Sequence, residues 1–299
     1  MKTLMVILAG LGFWSGCTSP QKEKNVVTDS LWHAPDTSGM PNAQVRYGRK
    51  LIANTSHYLG PQGTVSTISN GMNCQNCHLD AGTKPFGNNF GSVASLYPKF
   101  RARSGGKESI EKRINDCLQR SLNGQPLDSL SQEMRAMVAY ILWVGKDVKK
   151  GAVAPGSGLK EIPRLLRAAD TVRGKVVYNN QCRVCHQSNG QGMMLGSKKG
   201  FTFPPLWGER SFNTAAGLFR ISNMAKYVRY NMPQGVTYGQ PILTEEDAWD
   251  VAAYILSKPR PVKVFAADWP KLETKPFDYP FGPYSDTLSE THHKFGPWR

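Results

Sequence analysis

Four cysteines and two histidines occur in two copies of one pentapeptide pattern, Cys74-Gln-Asn-Cys77-His78 and Cys182-Arg-Val-Cys185-His186. Two thiols at this spacing can add across the vinyl groups of a porphyrin, and the adjoining histidine then becomes an axial iron ligand. Chance placement of the chain's cysteines and histidines would yield one such pentapeptide in roughly a few chains per thousand, and two far more rarely. A redox Cys-x-x-Cys or a zinc site is therefore disfavoured. The pattern implies two covalently bound c-type haems, attached through Cys74, Cys77, Cys182 and Cys185, with His78 and His186 on the irons.

Each iron needs a second axial ligand. Met232, in "YNMPQG", stands 22 residues before Tyr254 of a helical segment that closes the second half of the chain. A Met-Pro pair ahead of a closing helix suits a thioether ligand, with Met193, Met194 and Met224 as alternatives. In the first half, the residue 23 positions before the matching Tyr140 is Cys117. Met134 and Met137 fall at or inside the closing helix there. Cys117 is thus expected to ligate the first iron as a thiolate, since a spare thiol in an oxidising compartment is a hazard unless buried or used. Anionic thiolate lowers an iron potential and neutral thioether raises it.

The neighbours of Cys117 point to more than electron transfer. If residues 107 to 122 are helical, Ile110, Ile114, Leu118 and Leu122 form an apolar stripe, and Arg113, Cys117 and Ser121 a second stripe beside it. A guanidinium, a thiolate and a hydroxyl then share one face over the haem, which suits a small oxyanion. Arg103 precedes them in "KFRARSGGK", where Lys99, Arg101 and Lys107 read as a solvated basic face.

These residues must be positioned by a repeated framework. Segments "VRYGRKLIAN" (45–54) and "VRGKVVYNN" (172–180) precede the two haem motifs, and "MVAYILWVGK" (137–146) and "VAAYILSKPR" (251–260) come after them. Gly48 aligns with Gly174, and Tyr140 with Tyr254. A close crossing of first and last helices needs a glycine on one of them. Thr244-Glu245-Glu246-Asp247 carries the capping signal of the second closing helix. The predicted fold is mainly α: two class I cytochrome c-like domains in tandem, 43–148 and 166–258, joined by a Gly- and Pro-containing linker, 149–165. Residues 259–299 hold seven prolines and eight aromatics. That is too aromatic for a disordered tail, and the segment is expected to wrap the body in extended form.

Upstream, an eleven-residue apolar run, Leu4 to Trp14, leads to Ser15-Gly16-Cys17. The run is too short to span a bilayer. It predicts a lipoprotein-type signal over 1–17, with Cys17 lipidated, and a polar tether over 18–42. The expected location is the periplasmic side of a bacterial membrane. The formal charge of +15 would ordinarily suggest nucleic acid, which an exported di-haem chain does not meet. Anionic small substrates or an acidic electron-transfer partner fit better.

The cysteine within "IEKRINDCLQRSLNG", together with "MVAYILWVGK", "NMPQG" and the terminal "HHKFGPW", resembles the di-haem thiosulfate dehydrogenases that also act as tetrathionate reductases. The resemblance spans both domains and the C-terminal segment. It implies that Cys117 ligates the catalytic haem and that Arg103, Arg113 and Ser121 hold the substrate. It also implies that thiosulfate and tetrathionate are interconverted and that electrons pass through the second haem to a small cytochrome c or a terminal oxidase. Many members carry lysine beside the distal methionine, where this chain has Asn231. Other readings of the same residues are a non-catalytic di-haem electron carrier and a haem-thiolate subunit of a multi-protein sulfur-oxidising complex.

Overall fold

The computed structural model describes residues 31–196 and 199–298. The apolar run from Leu4 to Trp14 and Cys17 lie outside the described residues. Among those described, no helix is long and apolar enough to cross a membrane.

The first repeat begins with α1 (Ala43–Ala53), capped by the Asn42 side chain, which accepts from the Val45 amide at 3.0 Å. Beyond the haem motif lies a short hairpin, β1 (Lys99–Arg101) against β2 (Gly106–Glu108) in antiparallel register. Next come α2 (Ile110–Arg120) and α3 (Gln132–Val144), each started by a serine, Ser109 and Ser131, that accepts from the amide three residues on. The helix expected to begin near 107 begins at Ile110, because residues 106–108 pair with β1 and Ser109 serves as the N-cap of α2.

The second repeat runs α4 (Thr171–Gln181), the short hairpin β3 (Met193–Met194) and β4 (Phe201–Phe203), α5 (Ile221–Asn231) and α6 (Glu245–Leu256). Thr244 and Asp247 form the reciprocal capping box that the sequence signals. First and last helices cross in both repeats. A Cβ on Gly48 would overlap the Ala136 carbonyl and stand 2.8 Å from the Tyr140 Cβ; on Gly174 it would overlap the Asp250 carbonyl and stand 2.9 Å from the Tyr254 Cβ. Any larger residue would push the helices apart.

Each repeat has its own apolar core. Leu51, Met134, Met137 and Tyr140 are fully buried in the first, and Tyr178, Trp249, Val251 and Ala252 are buried to 1% exposure or less in the second. Burying one large apolar side chain contributes about 1.5–3 kcal/mol, so each cluster holds its own helix pair, and Phe201 of β4 is buried in the first cluster and joins the two repeats. The repeats touch through buried polar contacts. Tyr227 on α5 donates to the Asn76 carbonyl inside the first haem motif at 2.6 Å, and Asn213 donates to the Gln119 carbonyl at 2.9 Å.

The connecting segments are docked rather than loose. The Trp32 amide donates to the Pro155 carbonyl at 3.0 Å and the Trp32 ring packs on the first core, so residues 31–42 join the body instead of forming tether alone. The segment between the repeats lies against the first one, with the Phe86 and Asn88 amides donating to the carbonyls of Gly156 and Gly158. Residues 259–298 wrap both repeats, mostly without regular structure, and end in a six-residue helix, α7 (Glu290–Phe295). Asp278 accepts from the Ser222 amide at 2.9 Å and thereby caps α5, whose own N-cap residue, Arg220, makes no side-chain cap. Trp298 packs on Trp249 with ring centroids 4.8 Å apart.

Candidate functional site

The two pentapeptides present their side chains alike. Cys74–Asn76 forms a single 3-10 turn and Arg183–His186 a single helical turn. His78 has Nδ1 2.6 Å from the Asn88 carbonyl, and His186 has Nδ1 2.8 Å from the Pro204 carbonyl. A backbone acceptor on Nδ1 fixes the tautomer and leaves Nε2 to face a metal. The cysteines form no disulfide. Burial pushes Cys74 up to about 11 and Cys77 and Cys182 to about 12, so these thiols are held neutral.

Cys117 sits on α2, and its side chain and that of His78 come to one place. Both line a cavity of ≈ 250 Å³ that also receives Arg103, Arg113 and Ser121. The expected apolar stripe is buried, with Ile110, Ile114, Leu118 and Leu122 at 8% exposure or less. All four residues singled out around the first haem thus meet in one place. Arg113 and Ser121 stand one helical turn to either side of Cys117, and Arg103 comes from the turn between β1 and β2. Of the three residues expected on a solvated face, Lys107 is exposed, whereas Lys99 and Arg101, paired in the β1–β2 hairpin, are half-buried.

The cavity is electropositive by construction. Burial acts to raise Cys117, but the Arg113 charge and the hydrogen bond and charge from His78 outweigh it, bringing the thiol down to about 7. Arg113 is shifted up, chiefly by Cys117, against the opposing effect of burial. Arg103 is lowered to about 10 by burial and then by the neighbouring charges of Arg120 and Arg113. Among the described residues neither Arg103 nor Arg113 has a carboxylate ion-pair partner. Arg120 does: it forks onto Asp268 at 2.6 and 2.8 Å and stands 3.7 Å from Asp116. Arg103 lies over the ring of Trp269, the residue after Asp268, at 5.6 Å.

Arg120 and Asp268 were not singled out from sequence. Arg120 had a signal, being three residues beyond Cys117 on the same helix; Asp268 had none, since only the folded C-terminal segment brings it there. Two residues of the second repeat, Asn223 and Lys226, also line the Cys117 cavity.

The second motif opens on a mostly apolar cavity of ≈ 200 Å³, lined by Cys182, Cys185, His186 and Met232. Met232 comes directly after the end of α5. Of its alternatives, Met224 also lines the cavity from within α5, while Met193 and Met194 are partly exposed on β3 and do not. Asn231 is buried and donates to the Phe86 carbonyl at 3.1 Å, turned toward the first repeat. The two cavities share Cys77 and Leu218 as a common wall.

The residues present fit two haems: each motif pairs two unbridged thiols with an imidazole already oriented by a backbone carbonyl, at the edge of a cavity. Residues 65–149 match the model described as SoxA/TsdA, cytochrome c domain, and residues 171–259 match cytochrome c. The chain is 35% identical over 245 residues to the thiosulfate dehydrogenase of Stutzerimonas stutzeri, covering 81% of this chain and 76% of that one. The chain belongs to the thiosulfate dehydrogenase family. It is also 36% identical over 219 residues to the thiosulfate dehydrogenase of Allochromatium vinosum, covering 72% of this chain and 77% of the other. Among solved structures, the TsdBA thiosulfate dehydrogenase of Marichromatium purpuratum in its as-isolated form gives a TM-score of 0.70 at 28% identity, over 78% of this chain. The match spans 50% of that longer chain. The protein is therefore a di-haem c-type cytochrome with two cytochrome c domains in tandem.

Proposed function

We propose that the protein interconverts thiosulfate and tetrathionate: two thiosulfate ions join into one tetrathionate with release of two electrons, or the reverse. The observation that carries this reading is that Cys117 and His78 line one cavity with Arg103 and Arg113, neither of which has a carboxylate ion-pair partner among the described residues. The naming of the relatives supports it. His78 and Cys117 would hold the first iron, and His186 and Met232 the second. When bound, the two haems supply two one-electron acceptors.

Arg103 and Arg113 bind the sulfonate oxygens of one thiosulfate through forked hydrogen bonds, and the Ser121 hydroxyl donates to the same group. The outer sulfur of the anion then faces Sγ of Cys117. Formation of the S–S bond between the thiolate and this sulfur releases two electrons and leaves a Cys117–S–SO₃⁻ adduct. The outer sulfur of a second thiosulfate attacks the sulfur bonded to Sγ. The bond to Cys117 breaks, its electron pair returns to Sγ as thiolate, and tetrathionate leaves. In reverse, the Cys117 thiolate expels thiosulfate from tetrathionate, and two electrons cleave the adduct. The fixed positive charge of the arginines offsets repulsion between the two dianions.

The shared wall at Cys77 and Leu218 favours the second haem site as the electron exit, toward a small cytochrome c or a terminal oxidase. The protein would work on the periplasmic side of a bacterial membrane, anchored through a lipid on Cys17. Purified holoprotein assayed with thiosulfate and ferricyanide, and separately with tetrathionate and a reduced dye, tests the reading. Turnover in at least one direction is expected; none in either would leave an electron carrier.

A further inference from the structure

The proposed reaction handles two sulfonates, and Arg103 and Arg113 account for one. A further cation lines the same cavity from the other repeat. Lys226 lies on α5 with its side chain 16% exposed, and its ammonium is 2.6 Å from Glu161 of the inter-repeat segment. The Glu161 side chain is 83% exposed. This pair is lopsided: the cation is largely out of water and the carboxylate almost wholly in it. An exposed carboxylate loses little by swinging into solvent, because surface ion pairs are weak. A mostly buried ammonium gains from an anion delivered inside the cavity, where its charge is less screened. Asn223, one turn earlier on α5, lines the cavity beside it and is steadied by donating to the Gly217 carbonyl at 2.9 Å.

We infer that Lys226 is a second sulfonate subsite, taking the far sulfonate of tetrathionate or of the second thiosulfate, with Glu161 as an exchangeable counter-ion that vacates it. This rests on the thiosulfate–tetrathionate reading. The ammonium would recognise an oxyanion of either of two sources, a substrate sulfonate or a carboxylate of the first haem, and the substrate is the source assigned here. The arginine site and the Lys226 site belong to different repeats, so a substrate with a sulfonate at each end would bridge them across Cys117.

The test compares holoprotein of the wild type, Lys226→Gln and Glu161→Gln in both reaction directions, with potentiometric titration of the first haem at several pH values. Lys226→Gln should raise KM for both substrates by roughly tenfold or more, as expected for loss of a charged hydrogen bond. Glu161→Gln should lower KM by about two- to fivefold, since it removes a competing carboxylate without removing the cation. Opposite signs are the signature. Changes in the same direction would mean a structural ion pair and overturn the inference. An unchanged KM in Lys226→Gln, with a shifted first-haem potential and altered pH dependence of that potential, would assign the lysine to the haem carboxylate and overturn it equally. If the wild type turns over neither substrate, the interconversion itself fails. Calorimetric binding of thiosulfate to wild type and Lys226→Gln then decides the subsite alone: weaker binding in the variant supports it, and equal affinity overturns it.

Discussion

The two repeats share helix crossings, haem motifs and the backbone clamp on the proximal histidine, yet differ where a second iron ligand would stand. In the second repeat Met232 lies just past the end of α5, in the loop before the closing helix. In the first, Cys117 lies inside α2, with its last turn still to come. A side chain on a helix has fixed neighbours four residues either way. A loop residue does not. Placing the ligand on the helix therefore gives Cys117 an arginine and a serine as permanent companions, both on the same cavity. One repeat carries thioethers in a mostly apolar cavity and the other a thiol among polar side chains; under the proposed function, moving the ligand from loop to helix would separate a reaction site from a relay site.

This contrast can be broken most severely at Cys117. Cys117→Met, which makes the first site ligate like the second, should keep a low-spin iron and raise its potential. Turnover with thiosulfate and tetrathionate should fall by more than about 10³-fold, because a thioether forms no covalent sulfur adduct. Spectra, redox titration and steady-state assays check each part; substantial residual turnover would sink the covalent route. The reciprocal loss, Met232→Gly, should abolish the weak long-wavelength band of iron–thioether bonding while thiosulfate still binds at the first site. Persistence of that band would hand the ligand role to Met224.

Smaller effects sharpen the comparison. Asp268→Asn removes the forked carboxylate of a guanidinium whose side chain is only 5% exposed and leaves it Asp116 at 3.7 Å, and should lower stability by about 2–3 kcal/mol. Thermal unfolding would show this as a drop of roughly 5–10 °C. Arg113→Ala should reduce kcat/KM by about 10²-fold with the haem spectrum close to wild type, since its proposed contact is to sulfonate and not to iron. A changed spectrum would instead mean that Arg113 holds Cys117 in place. Ser121→Ala should cost about tenfold in kcat/KM, the size of one hydrogen bond, and no change would remove the hydroxyl from the substrate site.

Much of this site is written in local spacing. The pentapeptides, the Gly48 and Gly174 crossings and the Arg113–Cys117–Ser121 stripe all arise from residues within a few turns of each other, and the structure keeps them together. The features that could not be read were set by contacts between distant segments. Nothing near Asp268 in the sequence points to Arg120, and nothing near Glu161 points to Lys226. The β1–β2 hairpin was hidden for a different reason: strands of three residues around Gly105-Gly106 carry too little alternation to be seen beside a helix signal. Trp32 sat in a segment polar enough to suggest a tether, yet Trp32 and Met40 pack on the first core and dock it.

The fork from Arg120 to Asp268 spans 148 positions of chain. Contacts of such separation form late in folding, because closing a long loop costs entropy before any contact repays it. Each helix pair closes over far shorter distances and can assemble first around its own haem motif. Asp268 and Trp269 would then reach Arg120 and Arg103, two residues of the Cys117 cavity, only after both haem-binding repeats are built, so the order of assembly fixes these arginines last.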